Sequence, residues 1–302
     1  MTTGSQPLAT LAARLDHAGV IVRDLEITAQ AWESMGFQLT PPSRQRGRMP
    51  DRDEPGPWAT ANRCAVFREG YLELIGVVDA SCFNPWGPFL DRFEGMHILA
   101  LRVDSADDAW KGLGRIPALA DRFAPPVQRE RVLDVDGAPR TMRFRNVFSR
   151  DDRCPEGRII VIEHQTPQFL WQPKYLHHPN GAVALQAVFL CCNLQDHEQP
   201  AHPCARIAAL TGARQAAASG DHLLLRDDIG FEYHVLSPKA FERRFGAAAP
   251  AVPAFVGAAV RFTDRERAAA LMRGNGVQVT GNGEEWYARS AAIPGFFLTL
   301  TE

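Results

Sequence analysis

Two histidines and two glutamates occupy matching places in the first half of this 302-residue sequence. His17 and His97 each open a short apolar segment, and Glu73 and Glu163 each lie in a later apolar segment that follows its histidine. Two imidazoles and two carboxylates suit a divalent ion such as Zn²⁺, Ni²⁺, Fe²⁺ or Mn²⁺. We therefore predict a metal site made of all four residues, with positions left open for water or substrate.

Each of these residues also has a purely structural interpretation. A histidine at the start of a strand is more often a hydrogen-bonded structural residue than a ligand. A glutamate between apolar residues can lie on the solvent face of its strand. Recurrence of both residue types at matched positions favours the metal site over this alternative.

The four residues belong to a unit that repeats along the chain, in which an apolar segment ends in Asp or Asn, a good helix N-cap. These segments are residues 17–24, 97–104, 186–193 and 257–264. Helices are expected over residues 26–35, 106–113, 204–210 and 265–273. Closing strands are expected over residues 71–75, 158–163, 231–235 and 296–300. One such unit cannot bury its apolar face alone, so the predicted fold is α+β, with four βαβββ modules paired into two domains.

A proline-rich stretch without periodicity separates the second unit from the third. We place the N-terminal domain, with modules 1 and 2 and the metal site, at residues 1–164, a connector at 165–181 and the C-terminal domain at 182–302. In the C-terminal half, Gln186 and Gly257 replace the two histidines, and Thr299 and Thr301 lie where an acid would be needed. We therefore expect a degenerate C-terminal site without metal.

Composition narrows the class of partner. Hydrophobic residues make up 45% of the chain, charged residues 23%, and the net charge is −2. The interspersed charges predict neither a nucleic-acid partner nor a membrane-binding patch. No apolar run reaches the roughly 18–20 residues that span a bilayer, and the six cysteines form no C-x-x-C pair. We expect a cytoplasmic monomer or homodimer that acts on a small molecule.

The repeat with its order His, Glu, His, Glu resembles the vicinal oxygen chelate superfamily and, within it, glyoxalase-like domain proteins (the glyoxalase/bleomycin resistance protein/dioxygenase fold). Residues 15–25 resemble the opening strand of that family, residues 61–67 and 71–75 its third and fourth strands, and residues 95–97 the start of its second module. The resemblance covers the whole chain as architecture, whereas the ligand pattern covers residues 15–163. It implies a lyase, isomerase or epimerase in which the ion stabilises an enediolate and Glu163 or Glu73 takes the proton next to the carbonyl.

Two other functions share this fold. An extradiol-type ring-cleaving dioxygenase would use Fe(II) held by His17, His97 and Glu163, although two-domain members of that group carry their active set in the C-terminal half. A metal-free binding protein of the antibiotic-sequestering kind would instead turn Glu73 and Glu163 outward or into salt bridges. Fold alone does not choose among these functions.

Further residues are candidates for the substrate pocket. Asn62 reaches the cleft from the predicted third strand, and Trp171 and Tyr175 in the connector could shape an aromatic pocket or form a packed clasp between domains. Residues 44–52 form either a solvated, mobile loop or a lid over an anionic substrate. His164 follows Glu163, so it should face away from the ligands and serve as a core or surface residue.

Overall fold

Each half of the chain folds into one eight-stranded mixed sheet in this computed structural model, which describes residues 10–281 and 285–302. The strands of the first sheet are β1 (Arg14–Val22), β2 (Ser43–Gly47), β3 (Gly56–Val66), β4 (Tyr71–Val77), β5 (Gly95–Arg102), β6 (Val127–Val135), β7 (Ala138–Phe148) and β8 (Arg158–His164). Those of the second are β9 (Ala182–Cys191), β10 (Arg214–Ser219), β11 (His222–Arg226), β12 (Glu232–Leu236), β13 (Ala254–Phe262), β14 (Gln278–Gly281), β15 (Trp286–Arg289) and β16 (Phe297–Thr301).

The two sheets share one topology. The first has the order β2-β3-β4-β1-β5-β8-β7-β6, and the second has the order β10-β11-β12-β9-β13-β16-β15-β14. In the first sheet, β1 is parallel to β4, β5 is parallel to β8, and β1 and β5 meet antiparallel at the centre. Each sheet is therefore a pair of βαβββ modules, which confirms the predicted fold class.

Six α-helices connect the strands of the described residues: α1 (Leu25–Ser34), α2 (Gly87–Leu90), α3 (Ala106–Leu113), α4 (Pro203–Thr211), α5 (Pro238–Phe245) and α6 (Arg265–Gly274). The side chains of Asp24 and Asp264 cap α1 and α6 as predicted. Ser105 caps α3 in place of its neighbour Asp104, and α4 begins after His202 because a loop is inserted behind Asn193. None of these helices is long and apolar enough to cross a membrane.

Apolar side chains form three clusters that distinguish the two faces of each sheet. The largest combines the buried faces of α1, α3, α4 and α6 with one face of both sheets, and includes Trp32, Leu99 and Val260. The opposite face of the first sheet, which we call the cavity face, carries residues such as Ile98 and Ile162. The corresponding face of the second sheet is packed with aromatic residues instead.

Helix α5 fills that face of the second sheet. The ring of Phe241 packs against Phe297 at 5.0 Å between centroids, and Phe245 packs against Phe189 at 5.7 Å. Both α5 side chains are fully buried. The repeat does not predict this helix, because α5 lies outside the βαβββ unit.

The two halves meet closely. Gly95 bridges Gly295, where a Cβ on Gly95 would collide with the carbonyl oxygen of Gly295. Nearby, the buried carboxylate of Glu156 accepts two hydrogen bonds from the guanidinium of Arg206, at 3.0 and 2.5 Å. The stretch between the sheets contains two 3-10 turns, Pro167–Phe169 and Pro173–Tyr175, and crosses the cavity face.

Candidate active site

A cavity of about 690 Å³ opens on the cavity face of the first sheet. Its wall is apolar where β4, β5, β7 and β8 contribute residues such as Ile75, Ile98, Phe144 and Ile162. Its polar groups include His17, Glu73 and His164. An apolar wall with a few convergent polar groups is the usual composition of a small-molecule site.

His17 lies on β1 with its ring stacked on Tyr71, at 4.3 Å between ring centroids. Its Nδ1 atom donates a hydrogen bond to Oδ1 of Asp16 at 2.9 Å, because an ionised carboxylate can only accept. The Nε2 atom, left without a proton in the neutral ring, lies 3.6 Å from Oε2 of Glu73. Asp16 therefore fixes both the tautomer and the orientation of His17.

Asp16 is fully buried and holds two further donors. Nε2 of His164 donates to Oδ1 at 3.1 Å, and Nε of Arg102 donates to Oδ2 at 2.8 Å. Burial alone raises the pKa of this carboxyl, but the interactions with His164 and His17 outweigh it and hold the pKa well below its ordinary value. Asp16 is thus an ionised anchor beneath both histidines, which the sequence analysis did not identify.

Glu73 lies on β4, almost fully buried at the floor of the cavity. Its Oε1 atom accepts a hydrogen bond from Nδ2 of Asn62 at 2.5 Å and lies 3.6 Å from a guanidinium nitrogen of Arg131. The structure thus brings Asn62, Glu73 and His17 together. Arg131, beside Glu73, is a further residue of this group that was not predicted from the sequence.

His97 does not join this group, contrary to the expected four-ligand site. The pairing of β1 with β5 is irregular at His97, and Ile98 rather than His97 lines the cavity. The Nε2 atom of His97 donates to the carbonyl oxygen of Phe93 at 2.8 Å, and its ring stacks on Phe93. Burial lowers the pKa of His97 to about 4, so the residue is a neutral part of the core.

Glu163 also lies away from the cavity. Its neighbour His164, which was expected to face away from the site, lines the cavity. The Glu163 carboxylate accepts hydrogen bonds from the backbone N–H of Ala106 at 2.9 Å and from Nε2 of Gln165 at 3.2 Å. It therefore neutralises the N-terminus of α3, a structural role. Ile162 and His164, on either side of it in β8, line the cavity instead.

The donors on the cavity face do not fit a resident divalent ion. His17 and Glu73 can each offer one ligand atom, but the corresponding positions on β5 and β8 carry Ile98 and Ile160. Stable protein sites for such ions use at least three protein ligands as a rule. His164 does not complete the set, since among the described residues its ring nitrogens, His17 and Glu73 do not form a group of three ligand atoms within 4.8 Å of one another.

The two connector aromatics, Trp171 and Tyr175, pack beside residues that line the cavity. Trp171 contacts Tyr71 and His164 edge to face, and its Nε1 atom donates to the carbonyl oxygen of Phe67 at 3.1 Å. Tyr175 is buried and lines a smaller cavity that Asn62 and Arg131 also line. Both residues thus pack against the site from outside the sheet.

Five arginines line the cavity, a feature that the sequence analysis missed: Arg44, Arg46, Arg129, Arg131 and Arg158. Arg44 and Arg46 lie on the edge strand β2, so part of the expected mobile loop is ordered here. Arg129 and Arg131 alternate with outward residues along β6, and this period of two was the signal available in the sequence. Burial, aided by the charge of Arg158, lowers the pKa of Arg129.

Comparison with known proteins agrees with this architecture. The family model described as "Glyoxalase-like domain" matches residues 15–207, which is more than half of the chain. None of the curated proteins compared matches the sequence significantly.

Solved structures share the fold at low sequence identity. A hypothetical protein from Staphylococcus aureus superposes with a TM-score of 0.62 at 11% identity, over 95% of this chain and 98% of that one. A mutant 4-hydroxymandelate synthase from Streptomyces coelicolor gives 0.57 at 10% identity, over 96% and 92%. A mutant homoprotocatechuate 2,3-dioxygenase from Brevibacterium fuscum gives 0.54 at 10% identity, over 100% and 74%. The chain therefore belongs to the glyoxalase-like domain family and has the fold of the vicinal oxygen chelate superfamily.

Proposed function

We propose that the cavity binds a small organic anion and that His17 and Glu73 transfer a proton at a carbon next to its carbonyl group, as an isomerase, epimerase or lyase does. The observation that carries this proposal is the pair formed by Nε2 of His17 and Oε2 of Glu73, 3.6 Å apart. Both side chains are nearly buried and both border the same cavity. A carboxylate and an imidazole in such a position can take and return a proton.

The charges around this pair support proton abstraction. Asp16 accepts the Nδ1 hydrogen of His17, so that Nε2 is the basic atom and a protonated ring would be stabilised. Arg131 lies within 3.6 Å of Glu73 and borders the cavity. A fixed guanidinium there would stabilise the negative charge that develops on an enolate oxygen, the part that the sequence analysis assigned to a metal ion.

The lining also indicates the class of substrate. Arg129 makes no ion pair with a carboxylate among the described residues, and its guanidinium lies about 6 Å from the ring centres of Trp58 and Phe148. A half-buried cation without a counter-charge favours an anionic ligand, because the ligand supplies the charge. The aromatic rings around it suit an apolar or aromatic body. A carboxylate or phosphate ester with an apolar part matches both features.

A metal-free binding protein is the second candidate, and one observation favours it. Glu163 is turned to the N-terminus of α3, and Glu73 is engaged by Asn62 and Arg131. This arrangement is the one that a binding function predicts. The two candidates differ in whether a bound anion exchanges its proton with solvent.

Proton exchange distinguishes these functions. Small 2-hydroxy and 2-oxo carboxylates with apolar or aromatic side chains are incubated with the protein in deuterated water, and incorporation next to the carbonyl is followed by NMR. We expect exchange with the wild-type protein and a reduction of about 100-fold or more with His17→Gln or Glu73→Gln. Quenching of tryptophan fluorescence reports binding separately. Binding without exchange would favour the binding protein.

The matched control is His97→Gln, which alters a buried histidine of the same sheet that does not line the cavity. We expect unchanged exchange in this variant and in the presence of a chelator. The four-ligand metal site would instead be supported if His97→Gln and Glu163→Gln both lost exchange. In that case a divalent ion should also restore exchange in wild-type protein that had been treated with the chelator.

A further inference from the structure

We propose that Cys192, His202 and Cys204 form a zinc-binding site at the N-terminus of α4, remote from the cavity and independent of the proposed function. This trio is the one group of three metal-binding side chains, among residues 10–281 and 285–302, whose ligand atoms all lie within 4.8 Å of one another. Two thiolates and one imidazole are a ligand combination that zinc favours.

The distances are close to those that zinc requires. With Zn–S bonds of about 2.3 Å and Zn–N bonds of about 2.0 Å, tetrahedral ligand atoms are roughly 3.5–3.8 Å apart. The three ligand atoms, which lie within 4.8 Å of one another, therefore need to approach by at most about 1.3 Å. Cys192 follows the end of β9, and Cys204 lies in the first turn of α4. Both thiols are buried, whereas His202 is half-exposed and gives an ion access from solvent.

The orientation of His202 supports this assignment independently. Its Nε2 atom donates to the backbone carbonyl oxygen of Asn193 at 2.8 Å. Metal-binding histidines usually donate their other ring N–H to such a carbonyl, which fixes the tautomer and aims the free nitrogen at the ion. The free nitrogen here is Nδ1, which lies 3.2 Å from the backbone nitrogen of Cys204. On ion binding it would exchange this weak hydrogen bond for a metal bond.

The surroundings hold this geometry in place. Arg206 donates to the carbonyl oxygen of Ala201 and so anchors the loop that leads into α4. The guanidinium of Arg206 is itself fixed by the buried Glu156 carboxylate. Binding of Zn²⁺ by the two thiols and the imidazole forms two Zn–S bonds and one Zn–N bond and releases two protons to water. A water molecule would complete the tetrahedron.

Cobalt titration of the full-length, fully reduced protein tests the site. Co²⁺ bound by thiolates has an intense sulfur-to-metal charge-transfer band, and Zn²⁺ displaces it. We expect one equivalent of Co²⁺ to produce this band in the wild type. Cys192→Ser and Cys204→Ser should each weaken binding at least about tenfold, since even loss of an outer partner costs that much.

Two further variants still test the site if a serine variant fails to fold. His202→Asn retains an oxygen that can cap α4 but removes the imidazole, and we expect the same loss of affinity. Cys191→Ser is the matched control, because this adjacent buried thiol packs in the aromatic cluster on the other face of β9. Absence of the band in the wild type, its loss in Cys191→Ser alone, or formation of a Cys192–Cys204 disulfide in place of ion binding would each overturn the proposal.

Discussion

Asp16 and His17 are neighbours in the chain, and an irregularity in β1 between Leu15 and His17 lets the Asp16 carboxylate accept the Nδ1 hydrogen of His17 at 2.9 Å. In a regular strand adjacent side chains point to opposite faces, and this contact would be disfavoured. The irregularity thus places an ionised carboxylate behind the imidazole that faces Glu73.

Replacement of Asp16 tests its role in orienting His17. In Asp16→Asn the amide can donate to the ring, so the wrong tautomer is favoured and Nε2 ceases to be the base. We expect the rate of proton exchange to fall about 10- to 100-fold or more while the ligand still binds. Exchange rates and fluorescence titration on the same samples measure the two effects. An unchanged rate would contradict the assignment.

Arg129 should control affinity for the anion. We expect Arg129→Gln to weaken binding of a carboxylate ligand about 10- to 100-fold, because a hydrogen bond between charged groups is lost inside the cavity. Affinity for an uncharged amide analogue should change little. Arg140→Gln on the exposed part of β7 is the control, and equal losses in both variants would exclude a specific role.

The protein should lose stability in mild acid partly through His97. Its pKa falls from the ordinary value of 6.5 to about 4 in the folded state, so the unfolded chain binds the proton more readily. The resulting loss of unfolding free energy is absent above about pH 6.5, increases as the pH falls and reaches up to about 3 kcal/mol near pH 4.

Glutamine at position 97 can still donate to the carbonyl of Phe93 but does not titrate. We expect the difference in unfolding free energy between about pH 4.5 and about pH 7.5 to shrink in His97→Gln, as measured by urea titration. The exposed His177→Gln should behave like the wild type. If the unfolding free energy of His97→Gln depended on pH as strongly as that of the wild type, His97 would not contribute to the loss of stability in acid.

Removal of one charge from the Glu156–Arg206 pair should strongly destabilise the folded protein. Both side chains are almost completely buried, and Glu156→Gln leaves a guanidinium without its counter-charge. We expect a loss of about 3–5 kcal/mol in unfolding free energy. The double variant Glu156→Leu with Arg206→Met should lose less than the sum of its single variants, as a double-mutant cycle would show.

The sequence predicted the positions of helices and strands better than the sheet face to which each side chain points. The four closing strands and the four helices of the repeat lie where the periodicity placed them, because burial of an apolar face dictates both. The four-ligand site depended on the register of β5 and β8, where the positions that correspond to His17 and Glu73 carry Ile98 and Ile160 rather than His97 and Glu163. A shift by one residue reverses every side chain of a strand, and apolar residues on both faces of these strands conceal it.

Pairing between strands far apart in sequence was also beyond the sequence pattern. Arg131 reaches Glu73 because β6 lies at one edge of the sheet and folds toward β2 and β4. Asn193 fits the repeat as a helix cap, but the inserted loop transfers that role to His202. Only the folded chain brings Cys192 near His202 and Cys204.

The aromatic filling of the second sheet bears on how many ligand molecules one chain accepts. Phe241 and Phe245 of α5 occupy the space that corresponds to the cavity of the first sheet. A titration with an anionic ligand should therefore saturate at one equivalent per chain and follow a simple hyperbola, although the architecture itself is duplicated.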